Sequence, residues 1–256
     1  MRFNLVRDIM ILGEDMTITI RNTNINYIQY GKGKDIILLH GWGQNIQMMR
    51  PLGDKLEKKY RITILDFPGF GESDEPKEAF TIYDYCDVLE ELLKELKITN
   101  PIIMGHSFGG RVAIVYSSKN DVEKLVLFGS PCIKEKKEES IKVKILKGLK
   151  KVPILNKLED FAKSHIGSRD YRNASKVMRE VLVNVVNEDL SHCAKKIKAP
   201  TLLIWGDMDM EAPLEDAKKL EKIIPDCGMV VFPGLTHYAY LENLSGVIKI
   251  VKTFFE

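Results

Sequence analysis

The chain has 256 residues, 45% of them apolar, which is enough to bury one large core or two small ones without metals or disulfides. A formal net charge of +2 excludes a nucleic-acid binder that works by bulk charge, and equally an acidic scaffold. Cys86, Cys132, Cys193 and Cys227 lie far apart and make neither a CxxC pair nor a metal-ligand spacing, so the expectation is reduced thiols in a cytoplasmic protein with no metal site.

The N-terminal MRFNLVRDIMIL is interrupted by Arg7 and Asp8 before a signal-peptide core can form. No run of about 18 uncharged apolar residues follows, so no membrane span is expected. TITIRNTNINYIQYG alternates apolar and polar residues with Asn and Gly punctuation, the pattern of antiparallel strands. DIILLHG, RITILDFPG, PIIMGHS, VEKLVLFGS, APTLLIWGD and GMVVFPG are short, continuously apolar runs, the pattern of strands buried on both faces. Between them, TIYDYCDVLEELLKELK sets Ile82, Tyr85, Leu89, Leu92, Leu93 and Leu96 on one helical face. APLEDAKKLEKIIP and LENLSGVIKIVKTFFE repeat that spacing. The predicted fold class is therefore α/β, a mostly parallel doubly wound sheet with N-terminal antiparallel strands and helices on both faces.

One region breaks the alternation. Residues 131–198 read as helical and carry 17 Lys or Arg against 9 Asp or Glu. The reading is a helical cap inserted into a core made of residues 1–130 and 199–256. Within it, Ile141, Ile145, Leu149 and Val152 form an apolar stripe among lysines. The bland account packs that stripe on the sheet and leaves the lysines to water. The sharper one allows weak contact with an anionic surface or attraction of anionic substrates.

Gly105-His106-Ser107-Phe108-Gly109 follows a predicted strand and precedes the helical RVAIVYSS. This is the Gly-x-Ser-x-Gly elbow in its required setting, a tight turn that presents the serine at a helix N-terminus. Serine needs a base, and His237 falls on the loop between the last strand and the last helix. The base needs a carboxylate, and WGDMDMEAP offers Asp207, Asp209 and Glu211 after the preceding strand. The oxyanion formed by attack calls for backbone donors, the first being the N–H of Phe108. His106 is expected to point away from Ser107. His40 is expected to organise a loop by hydrogen bonding, and DFPGFGESD to be a structural turn. His165 and His192 read as packing or surface residues of the cap.

LLHGWG, DFPGFGESD, MGHSFGG, LLIWGDMDMEAP and GLTHYAYLEN together resemble the α/β-hydrolase fold superfamily, over nearly the whole chain. The resemblance implies that the acid is Asp209, three residues after the motif glycine, and that the second oxyanion donor is the backbone N–H of Trp42. It implies a cofactor-free serine hydrolase with the triad Ser107, Asp209 and His237, acting on a small-molecule ester as a monomer or homodimer. A serine at the elbow excludes the relatives that use aspartate there, the haloalkane dehalogenases and epoxide hydrolases. Ester hydrolysis is the first reading. Carbon–carbon cleavage of ring-fission diketones and thioesterase or lysophospholipase chemistry stand behind it. A ligand sensor that keeps the triad is the reading from another class, separable by turnover of short p-nitrophenyl esters.

Overall fold

The computed structural model describes residues 15–133 and 174–256. The first strands, β1 (Met16–Ile20) and β2 (Thr23–Gly31), form a hairpin. Its two-residue turn, Arg21-Asn22, takes positive φ at both positions (50° and 59°), the geometry that matches the twist of paired strands. The elements then run β3 (Lys34–Leu39), α1 (Ile46–Leu56), β4 (Tyr60–Leu65), α2 (Ile82–Glu95), β5 (Ile102–His106), α3 (Phe108–Ser117) and β6 (Lys124–Phe128). After residue 173 come α4 (Lys176–Asn187), α5 (Ser191–Ala194), β7 (Thr201–Gly206), α6 (Leu214–Ile223), β8 (Cys227–Phe232), α7 (Ala239–Glu242) and α8 (Leu244–Phe255).

The described strands form one sheet in the order β1-β2-β4-β3-β5-β6-β7-β8. The pairs β1–β2 and β2–β4 are antiparallel and the rest parallel, as the alternating and continuous apolar runs imply. Successive strand residues point to opposite faces. Ile37, Leu39, Ile103, Leu125, Leu127, Leu203 and Trp205 join the apolar cluster that includes α2, α3 and α6. Ile36, Leu38, Ile102, Met104, Val126, Phe128 and Ile204 join the cluster of α1, α7 and α8. Both clusters are closed to solvent, so the sheet is covered on each face.

Local chemistry sets the helix ends. Thr81 and Asp84 make a reciprocal capping box at the start of α2. Two helical details differ from the sequence reading. The sequence pattern marks no helix where α1 stands. Asn45 caps it, and Ile46, Met49, Leu52 and Leu56 are buried, which outweighs the one backbone bond lost at Pro51. The C-terminal stretch read as one helix is divided at Asn243, whose side chain accepts from Gly246 N–H and starts α8 afresh.

Of residues 131–198, the described part holds α4 and α5. The buried side chains of these helices, Met178, Val181, Val185, Cys193 and Ala194, pack into the same cluster as α2 and α3. The basic stripe from Ile141 to Val152 and His165 lie outside the described residues. No helix among the described residues is long and apolar enough to cross a membrane.

The chain leaves β3 for β4 on one side and returns to β5 on the other. The C-terminal ends of β3 and β5 thus flank a switch in strand order, where open α/β sheets leave a crevice. The loops after these two strands carry Trp42 and Ser107.

Candidate active site

β5 ends at His106 and α3 begins at Phe108, so Ser107 alone makes the corner. Its backbone sits at φ 49°, ψ −112°, a left-handed conformation that costs a residue with a Cβ. Two bonds hold it there. Ser107 N–H donates to Phe128 O at 2.9 Å, and Ser107 O accepts from Arg111 N–H at 3.1 Å. The glycines are required by close approach. A Cβ on Gly105 would stand 2.7 Å from Gly110 Cα, one on Gly109 would overlap the Leu39 carbonyl oxygen, and one on Gly110 the Ser130 hydroxyl. Ser107 is partly exposed at this corner.

Asp209 follows β7 and His237 follows β8. Their side chains are buried, 1% and 5% exposed, and meet with His237 Nδ1 2.8 Å from Asp209 Oδ2. The other Asp209 oxygen accepts from Glu211 N–H at 2.9 Å and Ala212 N–H at 2.8 Å. A carboxylate opposite Nδ1 favours the Nδ1–H tautomer and leaves Nε2 as the acceptor. Of the three carboxylates that spacing left open, Asp209 touches Nδ1. Asp207 turns away to accept from Gly234 N–H at 2.6 Å. Glu211 is mostly exposed and places Oε2 3.6 Å from His237 Nε2.

Ser107 makes no hydrogen bond with the His237 ring among the described residues. The two are nevertheless neighbours through β6. Phe128 O holds Ser107 N–H, and a Cβ on the next residue, Gly129, would lie 2.9 Å from His237 Nδ1.

The loop after β3 is fixed by side chains. His40 donates from Nδ1 to Gly41 O at 2.7 Å and accepts at Nε2 from Phe67 N–H at 3.0 Å. These partners define its tautomer, and complete burial pushes its pKa down to about 4. Gly41 N–H donates to Gln44 Oε1 at 3.0 Å. Trp42 packs edge-on against Phe70 and Phe108, with ring centroids at 4.8 and 5.6 Å. Neither the Trp42 nor the Phe108 N–H donates to a protein acceptor among the described residues. For Phe108 this follows from its place in the first turn of α3.

Several contributors were not singled out from the sequence. Asp66, in the DFPGFGESD turn, accepts from Ile46 N–H, Asn26 Nδ2 and Glu72 N–H, and so ties that turn to the start of α1. Arg111 is buried and donates to the carbonyls of Pro131, Val185 and Glu188 at 2.6, 2.8 and 2.6 Å. It ties the elbow helix to Pro131 and to the C-terminal end of α4, and burial lowers its pKa. A lone charge inside the apolar FGGRVAIVYS was its available signal. His192 is exposed and approaches Tyr83 Oη at 3.4 Å. Burial pushes the Cys132 thiol up to about 12 and the Cys86 thiol higher still, so neither is a thiolate at neutral pH. A cavity of about 430 Å³ lined by Asn100, Ser117, Lys119, Lys196 and Lys198 opens at the N-terminal ends of β5, β6 and β7 and contains none of these site residues.

A sequence model described as the alpha/beta hydrolase fold matches residues 35–168. The AB hydrolase superfamily protein YisY of Bacillus subtilis is 27% identical over 251 residues, covering 88% of this chain and 92% of that protein. A pimeloyl-[acyl-carrier protein] methyl ester esterase of Aliivibrio fischeri is 24% identical, covering 91% and 97%. A bromoperoxidase from Bacillus anthracis superposes with a TM-score of 0.77 at 24% identity, covering 94% of this chain and 99% of that one, a likeness of fold.

Proposed function

The chain belongs to the alpha/beta hydrolase fold family, and from that premise we propose that it is a serine hydrolase of carboxylic esters with small to medium acyl groups. The observation that carries this reading is the buried Asp209–His237 pair beside a serine held at positive φ on a helix N-terminus. Ser107 Oγ attacks the ester carbonyl carbon while His237 Nε2 takes its proton. The tetrahedral intermediate collapses as Nε2 returns that proton to the departing alkoxide, which leaves an acyl-enzyme and free alcohol. Water then attacks the acyl carbon with His237 again as base, releasing the acid and restoring the serine. Asp209 keeps the imidazole as the Nδ1–H tautomer and stabilises the cation formed in each half-reaction. The N–H groups of Trp42 and Phe108 receive the oxyanion. Nucleophile–base contacts are commonly long in unliganded enzymes and tighten around substrate, so the missing Ser107–His237 bond is compatible with this scheme.

The ester reading is supported by the Aliivibrio fischeri relative, whose name is that of a methyl ester esterase. Residues 131–198 serve in this proposal as the cap that selects the acyl chain, and Arg111 ties its described residues Pro131, Val185 and Glu188 to α3. The test is a fluorophosphonate probe combined with a series of p-nitrophenyl esters of increasing acyl length. Ser107 alone should be labelled, and Ser107→Ala should lower kcat by about 10⁴- to 10⁶-fold with the fold intact. Labelling that persists in Ser107→Ala removes the assignment.

A further inference from the structure

His106 is a fully buried histidine that the mechanism above leaves without a task. The alternation along β5 sends Ile102, Met104 and His106 toward α1, α7 and α8, away from the face of Ile103 and Gly105. There both ring nitrogens meet oxygens. Nδ1 lies 3.2 Å from Gln44 Oε1, and Nε2 lies 3.1 Å from the backbone oxygen of His237. The Gln44 atom is an oxygen because Gly41 N–H donates to it. A neutral imidazole has one N–H and can serve one of these acceptors.

The surroundings keep the ring neutral. Its titratable neighbours are His237 and Tyr238 on the loop after β8 and Tyr240 on α7, with ring centroids at 4.7, 5.5 and 4.7 Å, and His40 on the loop after β3, which also disfavours its charged form. Among the described residues no carboxylate reaches it. Burial, aided by His237, pushes its pKa down to about 3. The choice of tautomer follows from which oxygen has another donor. Gln44 Oε1 already accepts from Gly41 N–H, while the His237 carbonyl has no other donor among the described residues. A buried carbonyl left unpaired is costly, so the proton belongs on Nε2.

We infer that His106 is a positioning residue for the reaction: as the Nε2–H tautomer it holds the backbone of His237 through a hydrogen bond, and so fixes the base relative to the serine that follows it in the chain. Ser107 and His106 are one peptide apart, with Cα atoms about 3.8 Å from each other. A bond from His106 to the His237 carbonyl therefore ties nucleophile and base to a single rigid corner, although the two residues are 130 positions apart in sequence. The loops after β7 and β8 need not supply that distance by themselves. The kinetic part of this inference rests on the nucleophile and base proposed above, while the spectroscopic part does not.

Three variants separate the two bonds. In His106→Gln the amide nitrogen can reach the place of Nε2, in His106→Asn the place of Nδ1, and His106→Phe keeps a ring with neither. With a short p-nitrophenyl ester, the Phe and Asn variants should lose up to about 10²-fold in kcat at nearly constant KM, and Gln should recover most of the loss. Independently of turnover, ¹⁵N NMR of the native protein should show His106 protonated at Nε2 from pH 5 to 8. The low-field proton of the Asp209–His237 bond should shift in His106→Phe. Rescue by Asn where Gln fails, an Nδ1–H tautomer, or an unchanged His237 signal with full kcat in His106→Phe would each overturn the inference. Should Ser107 prove unreactive toward the phosphonate probe, the esterase reading fails and the NMR results still decide the role of His106. Should a variant fail to fold, the tautomer in the native protein decides it.

Discussion

The Ser107 side and the Asp209–His237 side of the candidate site are held by different forces. Around Ser107 the restraint is steric. Gly105, Gly109 and Gly110 sit where any Cβ would run into backbone or a buried hydroxyl, and the serine is pressed into a left-handed corner between them. Around Asp209 and His237 the restraint is polar. The carboxylate is gripped by two backbone N–H groups and Nδ1, and the loop behind it by Trp205 Nε1, which donates to Ala212 O at 2.7 Å. Close packing punishes added volume and is indifferent to charge. A hydrogen-bonded site tolerates small changes of shape and is sensitive to where protons sit.

This contrast predicts which substitutions matter on each side. The largest effect should come from Asp209→Asn, which preserves shape but no longer enforces Nδ1–H. It should cost up to about 10⁴-fold in kcat with little change in thermal stability. Asp207→Asn, whose partner is Gly234 N–H, should leave kcat near the native value. Steady-state kinetics on the pair would reverse the assignment if Asp207→Asn were the more damaged enzyme.

A smaller effect, on stability, should mark the steric side. Gly109→Ala drives a methyl into the Leu39 carbonyl and should destabilise by about 3 kcal/mol in urea titrations, or abolish soluble protein. Gly228→Ala, on an open face of β8 with nothing within 4 Å, should stay within about 0.5 kcal/mol of native. Equal stability for the two variants would mean that the elbow is not packed as tightly as these approaches require.

The next effect is pH-dependent. His40 and His106 are buried neutral, with pKa values pushed down to about 4 and about 3, against about 6.5 in an unfolded chain. Depressed folded pKa values give stability that is fully present above about pH 6.5 and is lost as pH falls toward 4 and then 3, because the unfolded state takes up protons first. Each histidine should contribute a loss of about 2 kcal/mol between pH 7 and pH 5. His106→Gln should therefore lose about 2 kcal/mol less than the native chain over that interval. A native and variant chain with parallel pH profiles would place His106 in a wetter site than its burial indicates.

Much of this candidate site is legible in the amino-acid sequence. The Gly-x-Ser-x-Gly turn is a local signature, since a strand, a sharp bend and a helix within about ten residues leave only small residues at the crowded positions. Central strand positions were legible because burial on both faces demands unbroken apolar runs, whereas β8, read the same way, is a half-buried strand at the sheet edge. Helix α1 escaped because Pro51 argues against a helix in sequence, while the argument for it, burial of Met49 and Leu52, comes from a distant surface. Arg111 and Asp66 escaped because their partners are backbone groups, which carry no residue-specific signal.

Local pattern thus decided the strands, the elbow, the serine and the histidine loop, because each depends on residues within a few positions of one another. The partner of His237 was a different matter. Three carboxylates within five residues are equivalent in spacing, and the sequence preferred Asp209 only through the family resemblance; it is the tertiary structure that sets Asp209 against Nδ1, Asp207 against Gly234 N–H and the mostly exposed Glu211 toward Nε2. The same holds for His106. Its type and parity are written in β5, but its partners come from loops 62 and 131 positions away, brought together by the order of strands in the sheet. Contacts at such separations depend on how strands are arranged in space, and no short-range periodicity encodes that arrangement.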